Sequence, residues 1–343
     1  MNGNLRLNSD RTNLRKFAIL GGDGVFGNHF ANYVLSENLA DRVISIGRNP
    51  RKSEVYTLGV GKNDKRFRYY QVHILHELDI LMKILDIEKP QCIINFAALA
   101  YATSWNDSYR YYDANLIALS KIVEIIKDKS YFEHWMQIGS AEVYGPAKNK
   151  PFREDDSPNP TSPYAVSKLA GDLHLKTYFD ALDFPMNIIR PSNSYGPGQQ
   201  LYRIIPNAIC CAIKRNKLKL EGGGTVQKSY LHATDMSKAI YRILCSAPLG
   251  EIYNAGPELP NTILEIVGKI ADALNIDLDS LIEVVPARSS EDSKYWLDST
   301  KIKTTLNWEP QITLETGIDD MIRWGYKYLN EIDFMTSVYE LRS

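Results

Sequence analysis

The stretch from Lys16 to Leu39 constrains the fold of this chain more than any other. A short apolar run, Lys16 to Leu20, leads into a loop with three spaced glycines, and an apolar-periodic segment, Phe30 to Leu39, follows. These features predict a buried strand, a tight turn and a helix. Such glycines let the backbone turn sharply and let free N–H groups at a helix N-terminus approach an anion. The order predicts a dinucleotide site in which the pyrophosphate lies against Gly21, Gly24, Val25, Phe26 and Gly27.

Strand-like and helix-like segments alternate through the first half of the chain. Apolar runs predict strands at 42–46, 67–72, 92–96, 134–138 and 186–190, and helical periodicity predicts helices at 75–87 and 113–127. Long connections between successive strands favour parallel pairing. The pattern predicts an α/β fold, a Rossmann-type doubly wound parallel sheet. The second half indicates a smaller C-terminal α+β domain, with predicted helices at 205–215, 235–245, 263–274 and 314–329.

We expect three parts in the chain. Residues 1–15 are polar and aperiodic, which predicts a flexible N-terminal arm. The nucleotide-binding domain is expected to span 16–190, with 226–255 returning to it. The smaller domain then comprises 191–225 and 256–330.

Composition and charge exclude several classes of function. The formal net charge is -1 and no block of like charge occurs, so we expect no nucleic-acid partner. No apolar run reaches the ~18 residues of a membrane helix, and no signal peptide is recognisable, so we expect no membrane partner and a cytoplasmic location. The four cysteines and six histidines show no ligand spacing, and we predict no catalytic metal.

The end of the second predicted strand bears on the choice of dinucleotide. An acid near this point usually holds the ribose 2′-hydroxyl of NAD, whereas a basic residue accommodates the 2′-phosphate of NADP. Here the strand ends in Gly47 and Arg48, with Arg51 and Lys52 behind them. We therefore predict NADP as the cofactor, with Arg48 binding it. The alternative is that Arg48 is a solvated loop charge and the cofactor is NAD.

Tyr164 and Lys168 stand four residues apart in what reads as the start of a helix. Residues with this spacing share one helix face. A free phenol has a pKa near ~10, too high for a base at neutral pH, and a neighbouring cation favours the phenolate. The pair predicts a catalytic base beside the lysine that activates it. An isolated pair of this kind is more often a surface tyrosine and a solvated lysine, so the surrounding motifs must decide.

Two predicted strand ends supply further candidates. The strand ending at Ile138 leads into a segment that contains Ser140 and Glu142, and an extended chain would turn these two side chains to one side. They would then face the carboxyl edge of the sheet, where α/β folds bind ligands. The alternative for Glu142 is a solvated loop acid. Ala97 and Ala98 follow the preceding strand and are small enough for close contact with a cofactor.

Together these motifs resemble the extended short-chain dehydrogenase/reductase family that acts on nucleotide-diphosphate sugars. The resemblance covers roughly residues 16–330. It rests on the ordered segments GGDGVFG, NFAALA, GSAEVYG, SPYAVSK, RPSNSYGPG, GGGTVQKSYLHATDMSKAI and DSTKIKTTLNWEP. Several such motifs in the right order are far more specific than any one alone. The resemblance implies an enzyme that uses NAD(P) on a nucleotide-diphosphate sugar, which the smaller domain would bind.

The resemblance assigns roles to matching residues. Ser140, Tyr164 and Lys168 look like the triad that oxidises C4 of the sugar. Tyr164 would take the hydroxyl proton, Ser140 would hydrogen-bond that oxygen, and Lys168 would hold the nicotinamide ribose and lower the pKa of Tyr164. Further cofactor contacts are implied for Asn115 and Pro191. Substrate contacts are implied for Ser104, Asn193, Lys228 and Arg288.

Glu142 separates the branches of this family. The 4,6-dehydratases and the related decarboxylases carry glutamate at this position, whereas the 4-epimerases usually carry a small residue or threonine. Arg48 and the segment Arg288-Ser289-Ser290-Glu291 are similar to the GDP-mannose 4,6-dehydratase-like branch. The resemblance thus implies oxidation at C4, removal of the C5 proton by Glu142, loss of water from C6 and return of the hydride to C6.

Two residues depart from the family pattern. Ala141 stands where the thymidine-sugar dehydratases carry an aspartate that protonates the leaving hydroxyl and the GDP-mannose enzymes carry a serine. Glu142 or a water would have to supply that proton. His73 stands where the family commonly has an aspartate at the adenine.

Other functions on the same scaffold stay open, namely a 4-epimerase, a 4-keto-sugar reductase or a non-catalytic NADP-binding regulator. The intact Ser140, Tyr164 and Lys168 argue against the regulator. The family commonly pairs two long helices from each subunit in a four-helix bundle. We therefore expect a homodimer through helices near 107–127 and 162–182, with a tetramer as the alternative.

Overall fold

A parallel sheet of seven strands organises the structure, a computed structural model that describes residues 11–100, 107–287 and 293–332. The strands are, in chain order, Lys16–Leu20 (β1), Arg42–Gly47 (β2), Phe67–Gln71 (β3), Cys92–Asn95 (β4), His134–Ile138 (β5), Met186–Pro191 (β6), Asn193–Tyr195 (β7), Leu218–Glu221 (β8), Gln227–Lys228 (β9), Tyr230–His232 (β10), Ile252–Ala255 (β11), Asn261–Thr262 (β12), Ile282–Val285 (β13) and Lys294–Tyr295 (β14).

Helices cover both faces of this sheet and build the second domain. They are Val25–Ser36 (α1), Glu54–Thr57 (α2), Leu78–Glu88 (α3), Tyr109–Tyr112 (α4), Ala118–Ile126 (α5), Pro163–Leu182 (α6), Ile204–Lys214 (α7), Ala233–Ser246 (α8), Ile263–Ala273 (α9), Leu278–Leu281 (α10), Thr300–Leu306 (α11), Leu314–Lys327 (α12) and Leu329–Ile332 (α13). A π-helical turn, Asp113–Ile117, joins α4 to α5, and 3₁₀ turns form at Ala141–Tyr144 and Gly222–Gly224.

The strand order across the main sheet is β11-β6-β5-β4-β1-β2-β3, and all neighbours are parallel. The order reverses between β1 and β4, so the loops after these two strands diverge and leave a crevice at the carboxyl edge. The glycine loop follows β1, and Phe96 to Ala98 follow β4. The predicted Rossmann-type doubly wound sheet is confirmed.

The burial of β1 shows why the sheet has two helical layers. Phe17 and Ile19 pack into a core with residues of α1 and α8, whereas Ala18 and Leu20 pack on the opposite face with residues of α3 and α5. All four side chains are fully buried. Burial of a large aliphatic side chain contributes about 1.5–3 kcal/mol, so a continuous apolar run is stable here only if it is covered on both faces.

The second domain has its own core and differs from the predicted boundaries. Residues of α7, α9 and α12 pack together with β8 in this core. However, Ile302, Leu306 and Trp308 pack into the core of the main sheet beside α8. The predicted assignment of 256–330 to the smaller domain is therefore wrong for the segment around α11. Helical periodicity reveals an apolar face but not which core will bury it.

The N-terminal segment also corrects a prediction. Residues 1–10 lie outside the described part of the chain, but 11–15 are not a loose arm. Leu14 is fully buried in the core of the main sheet, and the Arg11 guanidinium donates hydrogen bonds to the carbonyls of Leu244 and Ala247. One buried leucine and one anchored arginine tie this polar segment to α8.

Candidate active site

A cleft of about 400 Å³ opens at the carboxyl edge of the sheet and is lined by residues of both domains. Most predicted site residues line it, namely Gly21, Gly24, Val25, Phe26, Gly27, Ala98, Ser140, Glu142, Tyr164, Lys168, Pro191, Asn193 and Lys228. They come from the ends of β1, β4, β5 and β6, from α6, and from the short strands of the second domain. The fold thus brings together residues that are far apart in the sequence.

The glycine loop packs so closely against itself and the end of β4 that Gly21 and Gly27 cannot carry side chains. Gly21 has φ +75°, and a Cβ there would lie 2.7 Å from the Ala97 nitrogen. A Cβ on Gly27 would lie 2.9 Å from the Gly21 carbonyl oxygen. Gly24 is the N-cap of α1, and no side chain caps this end of the helix. These features fit the pyrophosphate of a dinucleotide, which binds backbone N–H groups at a helix N-terminus.

Ser140 and Glu142 share the cleft, although not through an extended chain. Ser140 is extended, but the next four residues form a 3₁₀ turn, and the Ser140 hydroxyl caps it by accepting a hydrogen bond from the Glu142 N–H at 3.2 Å. The alternation expected for a strand therefore does not apply. The tight turn still brings both side chains to the same crevice, because its first residues follow directly from the end of β5.

Tyr164 and Lys168 lie on the buried face of α6. Pro163 is the first residue of this helix, and the Ser162 hydroxyl caps it by accepting from the Ala165 N–H at 3.1 Å. Tyr164 and Lys168 retain only 8% and 4% of their exposure. The Lys168 ammonium donates a hydrogen bond to the Ile138 carbonyl at 2.6 Å. The predicted pairing on one helix face is present, and the pair is buried rather than on the surface.

The charges that act on Tyr164 differ from the sequence prediction, in which Lys168 lowers the pKa of this phenol. Burial raises the pKa of Tyr164, and the Glu142 carboxylate raises it further, while a hydrogen bond with Ser140 and the positive charge of Arg203 act in the opposite direction. Burial lowers the pKa of Lys168 to about 8, against an opposing effect of Asp172. The cation that favours the phenolate most directly here is therefore Arg203, and Lys168 contacts the strand end.

Some predicted site residues lie away from the cleft. Asn115 is buried in the π-helical turn, where its side chain accepts from the Leu99 N–H at 2.9 Å and donates to the Leu99 carbonyl and the Ser167 hydroxyl. It holds the loop that carries Ala98. Ala97 lies beneath Gly21, and Arg48 is exposed at the end of β2. Ser104 and Arg288 lie outside the described residues.

The cleft also contains polar residues that the sequence analysis missed. They are Ser192, Ser194, Gln199, Tyr202, Arg203, Asn207, Lys219, Glu221 and Tyr230. Arg203 precedes α7, and its guanidinium donates to the Ala100 carbonyl at 3.1 Å, which links the second domain to the loop after β4. Lys219 and Glu221 could have been found, because they alternate with the buried Leu218 and Leu220 along β8. No periodicity in the sequence indicates that Arg203 lies in the cleft.

The described residues contain neither a cluster of metal-ligating side chains nor a membrane-spanning helix. Within 11–100, 107–287 and 293–332, no group of three or more His, Cys, Asp or Glu side chains could hold a metal ion. In the same ranges no helix is long and apolar enough to cross a membrane.

Comparison with known proteins identifies the family. The family model for GDP-mannose 4,6 dehydratase matches residues 18–321. The chain belongs to this family. It is therefore an enzyme of the extended short-chain dehydrogenase/reductase group that uses NAD(P) to modify nucleotide sugars, and the resemblance seen in the sequence is confirmed.

Individual members of the family are distant in sequence but similar in structure. The dTDP-glucose 4,6-dehydratase of Haemophilus influenzae is 27% identical over 327 residues, which covers 89% of this chain and 96% of that protein. The crystal structure of dTDP-glucose 4,6-dehydratase from Bacillus anthracis in complex with NAD has a TM-score of 0.84 at 27% identity, covering 92% of this chain and 98% of the other. UDP-glucuronic acid 4-epimerase from Bacillus cereus, at 23% identity and a TM-score of 0.82 with 91% and 99% coverage, shares the fold.

Proposed function

We propose that this member of the GDP-mannose 4,6-dehydratase family is a nucleotide-diphosphate-sugar 4,6-dehydratase. The observation that carries the proposal is the position of Glu142. Its carboxylate lies in the same cleft as Ser140, Tyr164 and Lys168 and acts electrostatically on the Tyr164 phenol. An enzyme that only oxidises and reduces C4 has no need of this acid. A second base beside the C4 chemistry suits an elimination between C5 and C6.

The cofactor belongs at the glycine loop, with Ala98 and Pro191 along the crevice and Lys168 near its inner end. Bound NAD(P)+ would supply a hydride acceptor for C4 and a hydride donor for C6. The residues of the chain supply the proton chemistry. Tyr164 acts as the phenolate, the form that Ser140 and Arg203 favour, and takes the proton of the C4 hydroxyl while Ser140 hydrogen-bonds that oxygen. Lys168 stays protonated at neutral pH to hold a ribose hydroxyl.

Glu142 then acts on the sugar carbon next to the new ketone. A ketone at C4 acidifies the C5 proton, and the Glu142 carboxylate accepts it. The residue before it, Ala141, has no proton to give to the leaving hydroxyl. We propose that Glu142 returns the same proton to the C6 oxygen, which leaves as water. One proton is taken and one is returned, so the carboxylate is regenerated. Hydride addition to C6 leaves an enolate that needs a proton at C5, and Tyr164 supplies the proton that it took from the C4 hydroxyl.

The diphosphate is proposed to bind in the outer part of the cleft. The proposal is supported by Asn193, Lys228 and Arg203, which all line the cleft and include two cations. Arg288 and Ser104, outside the described residues, remain candidates for the same role.

The test is mass spectrometry after incubation with GDP-, dTDP-, UDP- and CDP-hexoses and no added reductant. A dehydratase removes one water from one of these sugars. Glu142→Gln should still oxidise C4, seen as absorbance of the reduced nicotinamide, but should lose water at least about 100-fold more slowly. Glu221→Gln, which changes the other carboxylate lining the described cleft, is the matched control and should keep the elimination step.

Other outcomes would point to the rival functions. A product of unchanged mass but inverted C4 would indicate a 4-epimerase. Stoichiometric consumption of NADPH on a supplied 4-keto sugar would indicate a reductase. Water loss that is unaffected by Glu142→Gln would refute the role of this residue.

The cytoplasmic location stays a prediction, which the distribution of a tagged protein between cell fractions would test.

A further inference from the structure

Gly47 is the last residue of β2 and has no side chain with which to bind a ligand. Dinucleotide sites of this fold usually place an acid about 20 residues after the glycine loop, at the end of the second strand, where it holds the ribose 2′-hydroxyl. Position 47 lies at that place in this chain. A site that binds the adenosine ribose therefore needs another residue to supply the acid, or it must bind a 2′-phosphate instead.

The side chain of Asp23, from the glycine loop, fills the space that a side chain at position 47 would occupy. A Cβ built on Gly47 would lie 2.5 Å from both Cγ and Oδ1 of Asp23. The absence of a side chain on Gly47 is thus what allows the Asp23 carboxyl to reach the end of β2. The carboxyl is not sealed there, since 12% of the Asp23 side chain stays exposed.

The surroundings fix this carboxyl at the strand end. The Asn49 amide lies 3.4 Å from Asp23 Oδ2, and the Lys52 ammonium donates to the Asp23 carbonyl at 3.0 Å and lies 4.0 Å from Oδ2. The Tyr69 hydroxyl, which donates to the Asn49 carbonyl, approaches the same spot from β3. The acid is therefore positioned by side chains of the loop after β2 and of β3 before any ligand binds.

The basic residues behind Arg48 are used elsewhere. The Arg51 guanidinium donates to the Val60 carbonyl and lies 4.5 Å from the centre of the Phe67 ring, so it packs against the sheet. The Lys52 ammonium is bound to the glycine loop itself. Of the three cations that favoured NADP in the sequence, Arg48 alone is exposed at the strand end without such a contact to the loop or sheet.

We propose that Asp23 takes the place of the strand-end acid, holds the adenosine ribose hydroxyls and makes this enzyme select NAD over NADP. The inference rests on the proposed binding of a dinucleotide at the glycine loop. A carboxylate accepts hydrogen bonds from ribose hydroxyls, whereas it repels a 2′-phosphate, which carries negative charge and no donor at neutral pH. A preference for NAD is the alternative given in the sequence analysis, where Arg48 favoured NADP.

Isothermal titration of cofactor-free protein with NADH and NADPH, without any sugar, tests the proposal by binding alone. The wild type should bind NADH at least about tenfold more tightly than NADPH. Asp23→Ser should weaken NADH binding about 10- to 100-fold and leave NADPH binding unchanged or tighter. Asp128→Asn, an exposed acid on a distant loop, is the matched control and should change neither affinity.

If Asp23→Ser destabilises the loop, a second variant that moves the carboxyl from position 23 to position 47 still tests the proposal. The double variant Asp23→Ala with Gly47→Asp returns the carboxyl to the strand end and should restore the NADH preference. Tighter binding of NADPH than NADH by the wild type, lost in Arg48→Gln, would overturn the proposal. So would an unchanged ratio of the two affinities in Asp23→Ser. Failure of the dehydratase assay with a clear NADH preference would instead contradict only the proposed reaction.

Discussion

At the scale of single residues, Lys168 is a site residue whose buried charge lowers the stability of the folded protein. Its side chain is almost fully buried, its ammonium donates a hydrogen bond to the Ile138 carbonyl, and Asp172 lies one helical turn away. Asp172 itself is paired with the buried Arg190 at 3.0 Å. Burial lowers the pKa of Lys168 from 10.5 to about 8, which means that the folded protein holds this charge at a cost at neutral pH.

Lys168→Met should therefore stabilise the protein while it abolishes activity. The cost of the buried charge is about 3 kcal/mol by the pKa difference, and loss of the bond to Ile138 offsets part of it, so the net gain at pH 7 should be about 1–2 kcal/mol. Between about pH 8 and pH 10.5 the unfolded chain keeps the proton that the folded protein has lost from Lys168. The cost, and with it the gain from the substitution, should fade as the pH rises from 8 towards 10.5.

Urea unfolding of the wild type and variant across this pH range measures the effect. Lys176→Met removes an exposed lysine of the same helix that pairs with Asp180, and it should change stability by less than about 0.5 kcal/mol at any pH. A Lys168→Met protein that is less stable than the wild type at neutral pH would contradict the argument.

Sequence reasoning found the residues whose spacing is local and missed those that act through the fold. Tyr164, Lys168 and the glycine loop could be predicted because helix periodicity and turn chemistry fix their relative positions. Arg203 reaches the cleft only because the second domain folds over the loop after β4. Asp23 lies inside a recognised motif, but its meeting with Gly47 depends on how the loop packs against the neighbouring strand.

At the scale of elements, the sequence predicts that a helix or strand exists more accurately than it predicts where the element begins or how it is wound. The predicted helix at 113–127 is present, but it starts at Tyr109 and contains a π-helical turn around Asn115. Such a turn inserts one extra residue, and here it lets the Asn115 side chain reach both Leu99 and Ser167. Helical periodicity over a window averages out an insertion of this kind, so the sequence could not reveal it.

The start of α6 controls the position of Tyr164, which is the helix's second residue. Ser162→Ala removes the capping bond to the Ala165 N–H and should cost about 1 kcal/mol of stability. Because the first turn carries Tyr164, fraying there should also lower kcat about tenfold through misplacement of the phenol. Steady-state kinetics on the sugar that loses water, together with urea unfolding, measure both effects.

Thr313→Ala provides the matched comparison for this element. The Thr313 hydroxyl caps α12 in the same way, accepting from the Thr316 N–H at 3.2 Å, but this helix end is not among the described residues that line the cleft. It should lose similar stability and keep its kcat. Equal losses of kcat in the two variants would show that the cap affects activity only through global stability.

At the scale of the whole molecule, the two domains are interleaved rather than consecutive. Segments around α8, β11 and α11 return to the main sheet after the chain has entered the second domain. This arrangement gives the cleft one wall from each domain, with the sheet edge between them. The sequence analysis expected residues 226–255 to return to the nucleotide-binding domain, but it assigned α11 to the smaller domain because an amphipathic helix fits either core.

The outer surface of α6 indicates a second copy of the chain as a partner. Val166 and Leu173, seven residues apart on one helix face, are 39% and 56% exposed, and Tyr109 and Ile117 on the adjoining helical segment are 62% and 40% exposed. Apolar side chains gathered on one face of paired helices are typical of a subunit interface. We therefore predict a homodimer in which these helices form a four-helix bundle.

Multi-angle light scattering of the wild type and of Leu173→Glu tests the dimer. Two glutamates brought close together at a twofold interface would bury unpaired like charges, so the variant should be a monomer at concentrations where the wild type is a dimer. Ile87→Glu places the same charge on α3, where Ile87 is 76% exposed, and should leave the dimer intact. Because the catalytic face of α6 points away from Leu173, the monomer should keep its NADH affinity. A wild type that is monomeric at working concentrations, or dissociation by both variants alike, would refute this interface.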